Sequence, residues 1–252
     1  MCPEPIVRKD AKVYLVGSGP GDPDLLTVKA LRLIQSAAVI LHDDLIPPAI
    51  LALASAAEQV INVGKRCGKK CITQEEINAL MVLHARRKGS VVRLKSGDPL
   101  LFGRASEEMA ALKEAGIAYE IVPGITSGFA AAAALGCSLT DRNGASRVVI
   151  TTGHHAASHQ IAELPELEAT TRIVYMPGRD LHRQAEEWLQ EGFSPELPCA
   201  VVSCASQSDQ QIQRMPLAEL SEAQPVPAPS LLLAGWAFRS AVKEEEEVLA
   251  AV

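Results

Sequence analysis

Between Val13 and Gly124 five short runs rich in Val, Ile and Leu occur in a chain of 252 residues: VYLVG, AVILH, VINVG, VVRLK and YEIVPG. Each is brief and ends in glycine, charge or a turn, as strands do. Helical patterns separate them. Thr27 stands at the cap of LTVKALRLIQSA. Thr73 opens TQEEINALMVLHARRKG, with Glu76 three residues on completing a capping box and Gly89 as the stop. RASEEMAALKEA, from Arg104, is amphipathic and stops at Gly116. Strand and helix in alternation predict an α/β fold with a mostly parallel sheet and helices on its faces.

VPGITSG breaks the rhythm, and a helix of small residues, GFAAAAAL, follows. SRVVITTG, TRIVYMPG, CAVVSCAS, QQIQRM and SLLLAGWAF then read as strands, with a helix over 180–190. These strands lie closer together, so antiparallel pairing is expected. A domain boundary is placed near residues 121–125, giving an N-terminal α/β domain over 12–122 and a C-terminal one over 123–246. At 48% hydrophobic the chain can fill two cores. It has no apolar stretch long enough to span a bilayer, and its start, MCPEPIVRKD, lacks the apolar centre of a signal peptide. A cytoplasmic protein is expected.

In an open parallel sheet, ligands sit beyond the carboxyl ends of the strands. GSGPGDP, HDD, GKR, KSGDP and PGIT all fall there. The first looks like a dinucleotide loop, yet its glycines at 17, 19 and 21 do not make G-x-G-x-x-G. Pro20 and Pro23 carry no N–H for a pyrophosphate, and Asp22 and Asp24 repel one. Asp43 alone favours that reading, near the place of a ribose-binding acid. A purely structural glycine turn is the other alternative. Asp98 can accept from an amine or hydroxyl of a ligand, or simply hold an Asx turn.

Charge is uneven. Residues 1–104 hold 15 Lys+Arg against 10 Asp+Glu, a net of +5, and the remainder holds 9 against 20, a net of −11. A basic half in an acidic protein suggests an anionic ligand rather than nucleic acid. Lys65, Arg66 and Arg104 suit carboxylates, or else pair with Asp43, Asp44, Glu107 or Glu108. Cys67 and Cys71 lack a second pair to complete a metal site, and His154, His155 and His159 lack HExxH, so no metal is expected.

The segments VGSGPGDPDLLT, GKRCG with QEEIN, VVRLKSGDPLLFGR with EE, VPGITS, LTDR with TGHH, VYMPG and the stretch before MPLAEL stand in this order. From about Val13 to Gly235 the chain thereby resembles the tetrapyrrole methylase family. GKR with QEEIN, together with RLKxGDPxxFGR, resembles its uroporphyrinogen branch. The resemblance implies two α/β domains with the cofactor cleft between them, the first on the substrate side and the second on the cofactor side. The implied cofactor is S-adenosyl-L-methionine, leaving S-adenosyl-L-homocysteine. Its family contacts fall on Pro20, Ser96, Gly97, Asp98, Leu101, Thr126, Ser127, Met176 and Ala205. The family's base falls on Asp43, its proton donor on Lys65, and its substrate-carboxylate arginine on Arg104. The implied reaction is methylation of uroporphyrinogen III at C2 and C7 to precorrin-2, toward sirohaem and cobalamin. The implied partners are the small-molecule tetrapyrrole and a second copy in a homodimer, with no nucleic acid or membrane.

The chain departs from the family at several points. Tyr-Asp-Arg is His42-Asp43-Asp44 here, Gly-Gly-Asp-Pro is Ser96-Gly97-Asp98-Pro99, and Leu-Thr-His-Arg is Leu139-Thr140-Asp141-Arg142. Asp44 and Asp141 place acid where the family has basic or titratable groups. They motivate two alternatives: a sister methylase acting on a later corrinoid intermediate, and a non-catalytic binder of S-adenosylmethionine or tetrapyrrole.

Overall fold

The structure is a computed structural model that describes residues 11–64, 72–141, 145–153, 170–178 and 180–238. The chain divides into two compact units, Met1–Thr126 and Ser127–Val252.

The first unit is built on five strands: β1 (Lys12–Gly17), β2 (Val39–His42), β3 (Gln59–Asn62), β4 (Ser90–Lys95) and β5 (Ala118–Val122). Their order is β3-β2-β4-β1-β5, and every pairing is parallel. All five carboxyl ends therefore lie along one edge of the sheet, as the loop motifs predict. The helices are α1 (Val28–Ser36), the single turn α2 (Pro48–Leu51), α3 (Gln74–Lys88) and α4 (Ala105–Glu114). The α2 turn has no strong sequence signal, because the Pro47-Pro48 pair reads as a break.

Strand side chains alternate between the two faces. Val13, Leu15, Val39, Leu41 and Val91 pack with Ile77, Met81, Ala105 and Leu112 of α3 and α4. Val16, Ile40, Val92 and Leu94 pack with Ala30, Ile34 and Ile50 of α1 and α2. The same parity puts Arg93 and Lys95 on the α4 face of the sheet, where apolar side chains are the rule. The Leu41↔Arg93 register then brings Asp43, two residues beyond Leu41, to the same face.

The second unit has β6 (Arg147–Thr152), β7 (Thr170–Tyr175), β8 (Pro198–Ser203), β9 (Gln211–Pro216) and β10 (Ser230–Ala234), in the order β6-β7-β10-β8-β9. Three of the pairings are antiparallel, as expected, and β6 with β7 is parallel. A parallel neighbour needs a crossover of a dozen or more residues, and the 17 residues from 153 to 169 supply that length. α5 (Ser127–Ala134) packs Ala130, Ala131 and Ala132 on one face, against Ile173, Ala200, Val202, Leu231 and Leu233. α6 (Leu181–Gln190) packs Ala185 and Trp188 on the other, against Val174, Val201 and Leu232. The small residues of α5 allow close approach: a Cβ at Gly128 would lie 2.7 Å from Tyr175 Oη.

The capping box at α3 forms as the sequence predicts. Thr73 Oγ1 accepts from the Glu76 amide at 3.2 Å, and the Thr73 amide donates to Glu76 Oε2 at 2.7 Å. Thr73→Ala is expected to cost about 1 kcal/mol of stability. A urea-unfolding midpoint unchanged from the parent chain would show that the box does not hold this helix.

Candidate functional site

The glycine-rich loop after β1 is built by backbone, and a phosphate cradle is not what results. Gly19 and Gly97 form an isolated bridge, with N–O distances of 3.2 and 2.8 Å. A Cβ on Gly17 would stand 2.6 Å from both Gly97 O and Gly124 N, and one on Gly124 would stand 2.2 Å from Gly97 O. The loops after β1, β4 and β5 thus touch main chain to main chain. Asp98 fastens two of them. Its Oδ1 accepts from the Leu100 amide at 2.8 Å and its Oδ2 from the Gly124 amide at 3.1 Å. Of the two readings of Asp98 in the sequence, the Asx turn is present, extended by a tie to Gly124.

Further along the loop, Asp22 accepts from the Asp24 amide and caps a 3-10 turn over Pro23–Leu25, while α1 starts only at Val28 behind its own cap, Thr27. No helix N-terminus therefore follows the glycines directly, and the dinucleotide arrangement is not formed. Pro20 is buried and Leu101 half-buried. Pro20 and Leu101 give these loops an uncharged stretch of wall. They suit an adenosyl or amino-acid moiety better than a pyrophosphate, so the residues present fit S-adenosylmethionine.

Beside them, at the carboxyl edge of the sheet, lies a pocket of about 240 Å³ lined by Asp43, Asp44, Arg93, Lys95, Ser96 and Arg104, among others. A chain of charges runs beneath it. Glu108 is 0% exposed and meets Arg93 Nε at 2.9 Å and Lys95 Nζ at 3.0 Å. Arg93, 2% exposed, extends its other arm to Asp43 Oδ1 and donates from Nη1 to Leu94 O at 3.1 Å. Lys95 is 3% exposed, whereas Asp43 is 29% exposed and opens toward solvent. Burial opposes the charge on Arg93, but Asp43 and Glu108 outweigh it and hold the guanidinium above its ordinary value. Burial pushes the Lys95 ammonium below the usual lysine range, and Arg93 adds to the effect. Asp43 and Glu108 only partly oppose it.

The candidate base Asp43 and the candidate carboxylate-binding Arg104 thus share one pocket with Ser96. Arg104 also makes the pairing that was its other reading. Its Nε and Nη2 each donate to Glu107 at 2.7 Å, and this hydrogen bond raises its pKa. Both side chains are about half exposed, so the pair is weak and exchangeable. Lys65, the candidate proton donor, lies outside the described residues, as do Arg66, Cys67, Cys71 and the three histidines from 154 to 159. Gly64 before it is described. A Cβ there would stand 2.3 Å from Asp44, whose Oδ1 accepts from Asn62 Nδ2 at 3.0 Å. The motif reading passed over Arg93, Lys95 and Glu108 as functional groups. The available signal was parity: two cations alternating in VVRLK on a buried face, with an acid one turn into the next helix.

In the second unit the expected cofactor contacts fall on unusual backbone. Met176 is left-handed (φ 50°), and buried Ala205 stands between left-handed Cys204 (φ 48°) and Ser206 (φ 65°). In the first unit, Phe102 and Arg104 are left-handed as well. Non-glycine residues in this region cost roughly 1–3 kcal/mol each and gather at functional sites. Ser127 opens α5 in this unit, and Thr126 ends the first. Among the described residues, no group of three His, Cys, Asp or Glu is placed to hold a metal.

The family model described as Tetrapyrrole (Corrin/Porphyrin) Methylases matches residues 12–221. The chain is 43% identical over 231 residues to an S-adenosyl-L-methionine-dependent uroporphyrinogen III methyltransferase of Methanosarcina barkeri, covering 89% of this chain and 91% of that one. It is 42% identical over 229 residues to siroheme synthase 1 of Halorhodospira halophila, covering 89% of this chain but only 47% of that one. Among solved structures, it is similar to the uroporphyrin-III C-methyl transferase of Thermus thermophilus complexed with S-adenyl homocysteine. That likeness has a TM-score of 0.77 at 35% identity, covering 91% and 94% of the two chains.

The geometry of the Asp98 tie makes one expectation measurable. Asp98→Ala removes a charged acceptor from the Gly124 amide, a bond of a kind worth about 1.5–3 kcal/mol. Hydrogen exchange at Gly124 is expected to speed up about tenfold or more. Exchange at the parent rate would mean that the loop after β5 is held by something else.

Proposed function

The chain belongs to the tetrapyrrole methylase family, and from that membership we propose that it is an S-adenosylmethionine-dependent C-methyltransferase acting on uroporphyrinogen III. Methylation at C2 and C7 gives precorrin-2. One observation carries the reading: a single pocket at the carboxyl edge of the first sheet holds a partly exposed carboxylate, Asp43, among the cations Arg93, Lys95 and Arg104.

That arrangement suits the chemistry. The sulfonium of the bound donor supplies an electrophilic methyl group, so the protein need not activate it with a metal. The task left to the side chains is to hold a carboxylate-rich macrocycle and to manage its protons. Arg104 exchanges its bidentate contact with Glu107 for a substrate carboxylate, which presents the same fork to the same guanidinium. Asp43 stands where it can stabilise positive charge on the methylated ring and accept the proton that leaves it. Arg93 fixes the carboxylate from behind, leaving its outer side toward the pocket. Lys65 remains the proposed proton donor.

The cofactor contacts are assigned to Pro20, Ser96, Gly97, Asp98, Leu101 and Thr126 in the first unit and to Ser127, Met176 and Ala205 in the second. The close backbone approach at Gly97 and the left-handed residues on either side of Ala205 support the assignment, because backbone of this kind gathers at functional sites. Domains of 12–122 and 123–246, a homodimer and a cytoplasmic location belong to the same reading. Among the described residues no helix is long and apolar enough to cross a membrane.

Purified protein, labelled S-adenosylmethionine and uroporphyrinogen III under anaerobic conditions test the proposal. Two methyl groups are expected per macrocycle; cofactor binding without transfer would sink it. Asp43→Asn is expected to lower kcat by about 10²–10⁴ and to spare S-adenosylhomocysteine binding. Undiminished turnover by that variant would remove Asp43 from the mechanism.

A further inference from the structure

We propose that Glu108 is a positioning residue: it holds Lys95 at the pocket wall and, through Arg93, sets the Asp43 carboxylate, so that the two groups act as one charge-balanced unit. The proposal rests on the reading of this pocket as the methylation site.

Glu108 is not among the residues lining the pocket, and its carboxylate is fully buried. It lies in the first turns of α4, one of a pair of adjacent acids. Glu107 faces outward to Arg104, and Glu108 faces the sheet. There it meets two cations from a single strand, Arg93 Nε at 2.9 Å and Lys95 Nζ at 3.0 Å. The Arg93 guanidinium is a rigid plane. With Nε fixed by Glu108, Nη1 by Leu94 O and Nη2 by Asp43, it has no freedom to turn. The Asp43 carboxylate is therefore placed by a chain of contacts that begins at Glu108.

Folding alone does not call for this arrangement. A buried ion network is commonly no more stable than an apolar filling of the same volume. The neighbours on this face, Val91, Leu112 and Ala105, show that apolar filling is what the sheet otherwise uses. The network brings an ammonium to a pocket wall from inside the protein, where a surface lysine would be mobile. Lys95 is faced by Arg93 on its own strand, by Asp43 after β2 and by Glu108 from α4; Asp44 and Arg104 line the same pocket. With Glu108 neutralised, Arg93 and Lys95 share only Asp43. Lys95 then loses its proton more easily, and Asp43 is drawn toward the cations.

The test compares the parent chain with Glu108→Gln and Glu108→Asp. It follows methyl transfer to uroporphyrinogen III across the pH range, together with S-adenosylhomocysteine affinity. For Glu108→Gln, kcat is expected to fall at least tenfold. The alkaline limb of the pH profile is expected to move down by about one pH unit, with cofactor affinity within about twofold of the parent. Glu108→Asp is expected to regain part of both. An unmoved limb with kcat within twofold of the parent overturns the proposal, and so does a loss of kcat matched by an equal loss of cofactor affinity. If Glu108→Gln does not fold, Lys95→Gln, which keeps the Arg93–Glu108 pair, takes its place. It is expected to move the alkaline limb, and an unmoved limb overturns the proposal. Failure of the parent chain to methylate uroporphyrinogen III is a different result and defeats the functional reading. The network is then read without turnover, by NMR titration of ¹³C-labelled lysine assigned by loss of the Lys95 signal. A lower Lys95 titration in Glu108→Gln supports it, and an unchanged one overturns it.

Discussion

A carboxylate with no access to water must be neutralised or surrounded by cations, and Glu108 is surrounded. The carboxyl edge of the first sheet is arranged around that requirement. Arg93 and Lys95 meet Glu108 only because they stand two residues apart on one strand and so share a face. α4 has to lie where its first turns reach that face. Arg93, bound at one end, has its second arm free for Asp43 across the neighbouring strand. Removing one member of such a set leaves an uncompensated buried charge, an effect of about 3–5 kcal/mol, far more than any exposed pair contributes. The strand, the helix and the loop after β2 are thereby locked into one register.

The neighbouring loops solve a different problem by different means. Gly17, Gly97 and Gly124 bring three strand ends into main-chain contact, at separations that no side chain would tolerate. Asp98 then ties the second loop to the third. Charge organises the pocket, and the absence of side chains organises the wall beside it. The two regions meet at Ser96, which follows Lys95 directly and precedes Gly97. One turn of chain thus passes from the charged groups of the pocket to the glycine loop assigned to the methyl donor.

The strand and helix pattern was legible in the sequence because each element carries a local signal. The Thr73–Glu76 box, the glycine stops and the Val-rich runs are of this kind. So was the position of the candidate loops, which follows from strands that all run one way. The network was harder to read. Arg93 and Lys95 look like the surface charge of any basic stretch until the parity of VVRLK is set against a sheet covered on both faces. Glu108 looks like the second half of a solvated Glu-Glu pair until α4 is docked. The parallel pairing of β6 with β7 departs from the antiparallel pairing that the close spacing of these strands suggests. Arg104 kept two readings in the sequence. The structure realises the pairing with Glu107 and leaves the arginine at the pocket, because a half-exposed pair forms and breaks easily.

The same contrast separates groups fixed by burial from groups left open to exchange. Arg104 and Glu107 are exposed, bidentate and replaceable by a ligand of the same shape. Arg93 and Glu108 are buried, and no ligand can displace either from the other. Asp43 stands between the two regimes, with one oxygen held by Arg93 and the side chain 29% exposed. A carboxylate wholly in water would wander among rotamers, and one wholly buried could not meet a substrate. Fixing it from the interior while leaving it open to the pocket gives a group of set direction that a ligand can still reach. Left-handed Phe102 and Arg104 line the same pocket, at a conformational cost of the kind found at functional sites. Buried charge and backbone strain converge on a few residues at one end of one sheet, and both are features that selection for stability alone would remove.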